Sequence, residues 1–193
     1  SSHALIGGLL GATIIAAGAS ALDVPGIVNK VLIPMLTSPL AGFAIAFGLM
    51  IALYWIFRRS QRKPMAIRFR RLQVFSAAFM AFAHGSNDAQ KTMGIITLAL
   101  FSTGIIDEFV VPTWVIVVSA TALSLGTAVG GWRIMKTMGQ RVAKLEPVHG
   151  FAAETTAASI LMGTAYLGMP VSTTQVISGA IMGVGSSQGV RGV

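Results

Sequence analysis

The chain has 193 residues, of which 54% are hydrophobic and 10% charged, with a net charge of +8 and a mean hydropathy of +0.76. A water-facing domain carries about 25% charged residues, so the composition excludes an ordinary soluble globule. The absence of cysteine excludes disulfides and thiolate metal sites, and 22 glycines suit tightly packed membrane helices.

About 20 apolar residues cross a bilayer, so uncharged runs mark the spans. Ala4–Leu22 is the first. Ala19-Ser20-Ala21 imitates a signal-peptide cleavage site, but no lysine or arginine precedes the run and its nineteen uncharged residues exceed a signal core. A signal peptide is therefore rejected, and further sequence is expected upstream. Pro25–Leu36 is too short to cross and carries Pro34, which reads as an interfacial or re-entrant piece. Pro39–Phe57 is a span that ends in a basic stretch. Seven of the fourteen basic residues (Arg58, Arg59, Arg62, Lys63, Arg68, Arg70, Arg71) fall within 58–71. Flanked by apolar runs, they read as a cytoplasmic loop rather than a nucleic-acid or specific lipid patch. No nucleic-acid partner is expected.

Leu72–Gly104 is longer than one crossing and is interrupted by Gly85-Ser86-Asn87-Asp88. The 106–111 connection holds Asp107 and Glu108 without a basic residue, which places it outside. Thr113–Trp132 crosses back to Arg133, Lys136, Arg141 and Lys144. Thr155–Val190 then runs 36 residues without a charge, with Gly168-Met169-Pro170 near its middle. That run is too long for one helix and is broken by proline after glycine, so it reads as a helical hairpin that leaves from and returns to the inside.

An internal repeat supports this plan. SSHALIGGLLGA (1–12) matches TTQVISGAIMGV (173–184): Ser1 and Ser2 face Thr173 and Thr174, Gly7 faces Gly179, Gly11 faces Gly183, and both copies hold G-x-x-x-G. The first copy is expected to run outward and the second inward, which is the mark of an inverted-repeat transporter. The fold expected is therefore all-α and polytopic, with broken helices and a re-entrant hairpin. Residues 1–57 would be the end of the first repeat, 58–71 the basic loop and 72–193 the second repeat.

Ionisable groups inside apolar segments are functional candidates because burying them costs several kcal/mol. His84, Asp88, Lys91 and Glu154 stand out. A helix capped by Ser86 or Asn87 would point free amides and its positive dipole end into the membrane, suiting an anion. The 170–175 loop repeats the device, with Pro170 ending one helix and Ser172 capping the next, and the hydroxyls of Thr173 and Thr174 add donors for a tetrahedral oxyanion. No arginine lies in any expected span. Asp88 and Glu154 would then repel the anion, by roughly 4 kcal/mol at 4 Å and an effective dielectric near 20. Bound sodium ions or protons remove that penalty and couple the two movements. Sodium takes oxygen ligands, which Asn87, Asp88 and a broken-helix carbonyl could supply.

Blander roles compete. Serine and threonine at 172–174 and Asn87-Asp88 also serve as plain caps, and Glu154 can sit at the interface. Lys91 can pair with Asp88 or snorkel. His84 and His149 read as packing or interfacial residues, and Glu146, Asp107 and Glu108 as solvated loop charges. GVGSSQG (183–189) lacks the spacing and preceding strand of a nucleotide loop.

FAHGSNDAQKTMGIITLAL (82–100) and ETTAASILMGTAYLGMPVSTTQVISGAIMGVGSS (154–187) resemble the PiT family of inorganic phosphate transporters, through H-G-x-N-D and P-x-S-T-T in the expected order. SSHALIGG (1–8) resembles the corresponding stretch of the first repeat. The resemblance covers essentially the whole chain. It implies two inverted repeats around a midplane site for phosphate, with sodium or protons as coupling ions and no further cofactor. It implies that Ser86, Asn87, Ser172, Thr173, Thr174, Ser1 and Ser2 line the phosphate site. Asp88 and Asn87 would hold the coupling cation (sodium, in a sodium-coupled protein), and Glu154 matches a glutamate tied to transport. NDAQK (87–91) looks bacterial, implying a multi-pass protein of the bacterial cytoplasmic membrane. The partners expected are phosphate, the bilayer and the upstream part of the same protein, and a homodimer is possible. The first repeat's own N-D pair is expected upstream of Ser1. Gln175 stands where histidine is common, whereas the first copy keeps His3; this leaves ion choice open.

The reading is thus a symporter for inorganic phosphate rather than an enzyme. A gated anion channel is the nearest rival, and a membrane-embedded phosphotransferase or hydrolase the next. A purely structural subunit leaves Asp88 and Glu154 unexplained.

Overall fold

The structure is a computed structural model and describes residues 2–59, 62–141, 146–187 and 189. Every regular element among them is helical: α1 (Ser2–Ala17), α2 (Val24–Ile27), α3 (Ile33–Phe57), α4 (Arg62–Ser102), α5 (Thr113–Arg141), α6 (Pro147–Tyr166) and α7 (Thr173–Ser187). Two runs, Val24–Phe57 and Thr113–Gly131, are long and apolar enough to cross a membrane, with mean hydropathies of 2.2 and 1.6. Ile15 (89% exposed), Phe75 (74%) and Trp55 (70%) lie on the surface, as side chains that face lipid rather than water would.

Several expectations are corrected. Pro25–Leu36 is not a separate interfacial piece. It runs into α3 through a π-turn at Val28–Leu32, where the Ile33 N–H reaches back to the Val28 carbonyl. That wider turn lets the helix pass Pro34, whose ring removes one backbone donor. The first helix stops at Ala17, five residues before the end expected at Leu22. The basic stretch is not all loop: helix resumes at Arg62 and continues for 41 residues.

The same helix overturns the break expected at 85–88. α4 passes through Gly85-Ser86-Asn87-Asp88 without interruption, and no glycine of this stretch has a positive φ. Serine, asparagine and aspartate are good caps, but the stretch holds no proline to force a stop. An interrupted helix would leave amides unpaired in apolar surroundings, at several kcal/mol each. The hairpin break is real, and its chemistry shows the difference. Gly168 adopts φ 65°, its N–H bonds the Ala165 carbonyl, and the Met169 N–H bonds that of Thr164. This double closure at a left-handed glycine ends α6, and Pro170 prevents its resumption.

The chain divides into two compact units, residues 1–80 with 146–193 and residues 81–145. In the first, α3 buries Pro34, Ser38, Gly42, Ala46 and Met50 at every fourth position. Against this stripe lie Val176, Gly179, Ala180, Gly183 and Val184 of α7. A methyl group on Gly42 would sit 2.8 Å from the Val176 carbonyl oxygen, and methyls on Gly179 and Gly183 would collide with the carbonyls of Pro39 and Phe43. The G-x-x-x-G of the second copy thus brings two helices into backbone contact, as small residues do in bilayers. At Gly7 and Gly11, its counterparts in the first copy, an added methyl would meet no other side chain or packed backbone within 4 Å. Among the described residues of the second unit, α4 and α5 enclose an open groove of about 770 Å³, where Phe82, Ser86, Gln90 and Met93 line one side and Ile116 and Leu123 the other.

Candidate functional site

α7 begins at Thr173, and the first bond across its start runs from the Val176 N–H to the Ser172 carbonyl. The amides of its first turn have no acceptor within the helix, so the helix presents donors and the positive end of its dipole at this point. Thr173 is 5% exposed and Val171 fully buried, while Ser172 is partly exposed and Thr174 exposed. Ser2, also 5% exposed, donates its hydroxyl to the Val171 carbonyl at 3.2 Å across 169 positions of sequence. The start of the first repeat copy is therefore tied to the loop that leads into the second. Ser1 lies outside the described residues. Replacing Ser2 by alanine removes this tether, and unfolding of the full-length protein should fall by about 0.5–1.5 kcal/mol, read as a lower thermal midpoint.

In the second unit, the unbroken α4 sets the geometry. Ser86 lines the groove with α5. Asp88, two residues on and so about 200° around the helix, points elsewhere: its Oδ1 lies 2.8 Å from Lys91 Nζ and its Oδ2 3.4 Å from His84 Nε2. Both pairs need helical spacing, and the lysine is only 15% exposed. Of the two roles expected for Lys91, pairing is the one realised. Asn87 is buried, and among the described residues its Oδ1 takes no hydrogen bond. Ser86 and Asp88 therefore do not share one face.

Glu154 sits on α6, one turn after Gly150. Ser76 of α4 lies 2.5 Å from its Oε2, and Gln73, one turn earlier on α4, bonds the same carboxyl. The Gln73 amide occupies the space a side chain at 150 would fill. Sequence reasoning passed over Gln73 and Ser76. The signal was present: they are the only polar residues of LQVFSAAFM (72–80), and i, i+3 spacing puts them on one helical face. His149 is buried, bonds Tyr54 at 2.9 Å and accepts the Glu146 N–H on Nδ1 at 3.2 Å. This is the packing role expected of it, and Glu146 opens α6.

All-helical architecture with apolar spans and a hairpin stopped in mid-run by Gly168 and Pro170 defines a helical membrane protein. The chain is similar over its whole length to a solved structure described as the sodium-dependent phosphate transporter, with a TM-score of 0.84 at 19% identity over 65% of that chain; at this identity the likeness establishes the fold. The chain belongs to the Phosphate transporter family, which matches residues 1–68 and 58–193. It is 44% identical to a probable low-affinity inorganic phosphate transporter of Bacillus subtilis (strain 168) over 194 residues. It is 46% identical to one of Rhizobium meliloti (strain 1021) over the same length. Each match covers 100% of this chain and 58% of the relative. A putative phosphate permease of Pyrococcus furiosus is 35% identical over 65% of the chain and 31% of its own length.

Proposed function

We propose that the full-length protein imports inorganic phosphate across the bacterial cytoplasmic membrane by symport with sodium or protons. The observation that carries this reading is the meeting of Ser2 with the loop that opens α7, within a chain of the Phosphate transporter family. Phosphate would take hydrogen bonds from the first-turn amides of α7, with Ser172, Thr173, Thr174, Ser1 and Ser2 supplying hydroxyls. A helix start suits a multiply charged oxyanion without the cost of an arginine in the bilayer.

The carboxylates tie the anion to a cation. For sodium, the orphan Oδ1 of Asn87 beside Asp88 is the oxygen on offer, and Lys91 would have to yield its place on Asp88. For a proton, Glu154 is the acceptor. Membership of a carrier family favours discrete, coupled steps over a gated pore. The names of the family and its relatives describe transporters, which favours a carrier over an enzyme.

The deciding measurement is uptake of radiolabelled phosphate by the full-length protein in lipid vesicles under separate sodium and proton gradients. Uptake indifferent to both rejects symport. In the same assay, Thr173→Ala should raise the apparent KM for phosphate about tenfold, the worth of one buried hydrogen bond to a charged group, and Thr173→Ser should restore most of it. Unchanged KM in the alanine variant would remove the α7 start from the phosphate site.

A further inference from the structure

Asp88 and Glu154 are treated differently by the fold. Among the described residues, Asp88 meets the Lys91 ammonium and the His84 imidazole. Among the described residues, Glu154 meets neutral groups, the Ser76 hydroxyl and the Gln73 side-chain amide. The surroundings hold no substitute cation among the described residues. His149, on the same helix, is engaged with Tyr54 of α3 and Glu146. Arg70 and Arg71, on the Gln73 helix, are exposed. α7 carries no ionisable side chain, and α1 only the exposed His3. Neighbours along α6 are small and buried: Gly150, Ala153, Ala157 and Ala158.

The hydrogen count is also short. Ser76 Oγ lies within bonding distance of two acceptors, Glu154 Oε2 at 2.5 Å and the main-chain oxygen of Gln73 at 3.1 Å. A hydroxyl has one hydrogen, so an ionised carboxylate and the Gln73 carbonyl compete for it. One proton added to Glu154 satisfies both contacts: the acid donates to Ser76, and Ser76 donates to Gln73.

We propose that Glu154, Ser76 and Gln73 form a station for a single proton, and that this proton is the coupling charge of the transport reading above, on which the proposal rests. Ser76 and Gln73 are positioning residues. Gln73 is placed by the vacancy at Gly150, and Ser76 passes on the hydrogen that the acid displaces. When the proton leaves, the carboxylate takes the serine hydrogen and the Gln73 carbonyl loses it, so arrival and departure of one proton switch the direction of one hydrogen bond.

The test uses the full-length protein in lipid vesicles. Infrared difference spectra between acid and alkaline buffer should show a protonated-carboxyl carbonyl band that vanishes in Glu154→Gln. That variant mimics the permanently protonated acid, and it should lower the ratio of pH-gradient-driven uptake to equal-pH phosphate exchange about tenfold. Ser76→Ala should lower the same ratio by a similar factor, and Ser76→Thr, which keeps the hydroxyl, should restore it. A band that persists in Glu154→Gln, a ratio unchanged in that variant, or a threonine that fails to rescue overturns the station. A native protein that shows the band but moves no phosphate under any gradient overturns the transport reading and with it the coupling role, while the proton site itself stands.

Discussion

Asp88→Asn should lower gradient-driven phosphate uptake by about a hundredfold, equivalent to about 2.7 kcal/mol, whichever cation supplies the gradient. The reason is electrostatic. Lys91 Nζ sits 2.8 Å from the aspartate at 15% exposure; asparagine keeps the shape and removes the charge that holds the ammonium. Breaking a fully buried pair costs about 3–5 kcal/mol. Asp88 is 27% exposed, so solvent screening reduces the stability loss to about 1–2 kcal/mol. The double variant Asp88→Asn with Lys91→Met separates the two effects, because it removes the stranded cation together with its partner. It should recover the thermal midpoint without recovering uptake. Uptake restored in the double variant would mean that Asp88 serves only to neutralise its own lysine.

The second large effect concerns packing. Gly179→Val should cost about 3 kcal/mol of stability, seen as a large drop in thermal midpoint and in the yield of folded protein from detergent. Any side chain there meets the Pro39 carbonyl, and a β-branched one cannot rotate away. The backbone of α3 is the obstacle, so no rotamer change relieves the clash and the helices must separate. Gly48, on α3 itself, is the control: nothing lies within 4 Å of its missing side chain, so Gly48→Ala should be neutral or slightly stabilising. Equal losses at both positions would show that helix separation is not the cause.

Where the fold was legible, the sequence carried hard covalent punctuation. Gly168-Met169-Pro170 marks the hairpin break because proline lacks a donor and glycine alone enters the left-handed region cheaply. The repeat of G-x-x-x-G was readable as a contact motif, and at 179 and 183 it is one. The π-turn before Pro34 was not legible, since proline in an apolar run signals disruption without saying whether a wider turn will absorb it. The uninterrupted α4 was missed for a related reason: Gly-Ser-Asn-Asp is a capping composition in water, where a broken end is solvated, and a costly one in lipid. The lysine partner of Asp88 was readable from i, i+3 spacing alone. By contrast, the Gln73–Ser76–Glu154 cluster joins residues 78 positions apart, and only packing of α4 on α6 around a side-chain vacancy at Gly150 reveals it. Ser2 and Val171 are a similar case, joined only by tertiary contact across 169 positions.

The flush seam between α3 and α7 has a mechanical corollary. Carbonyls of Pro39 and Phe43 sit in the notches left by Gly179 and Gly183, so axial sliding of one helix along the other would have to lift over each oxygen in turn. The pair therefore behaves as a single beam. If the proposed transport turns this pair, the break at Gly168 and Pro170, where α7 parts from α6, is where the turn would have to be taken up. An anion held at the head of α7 would then move with the beam.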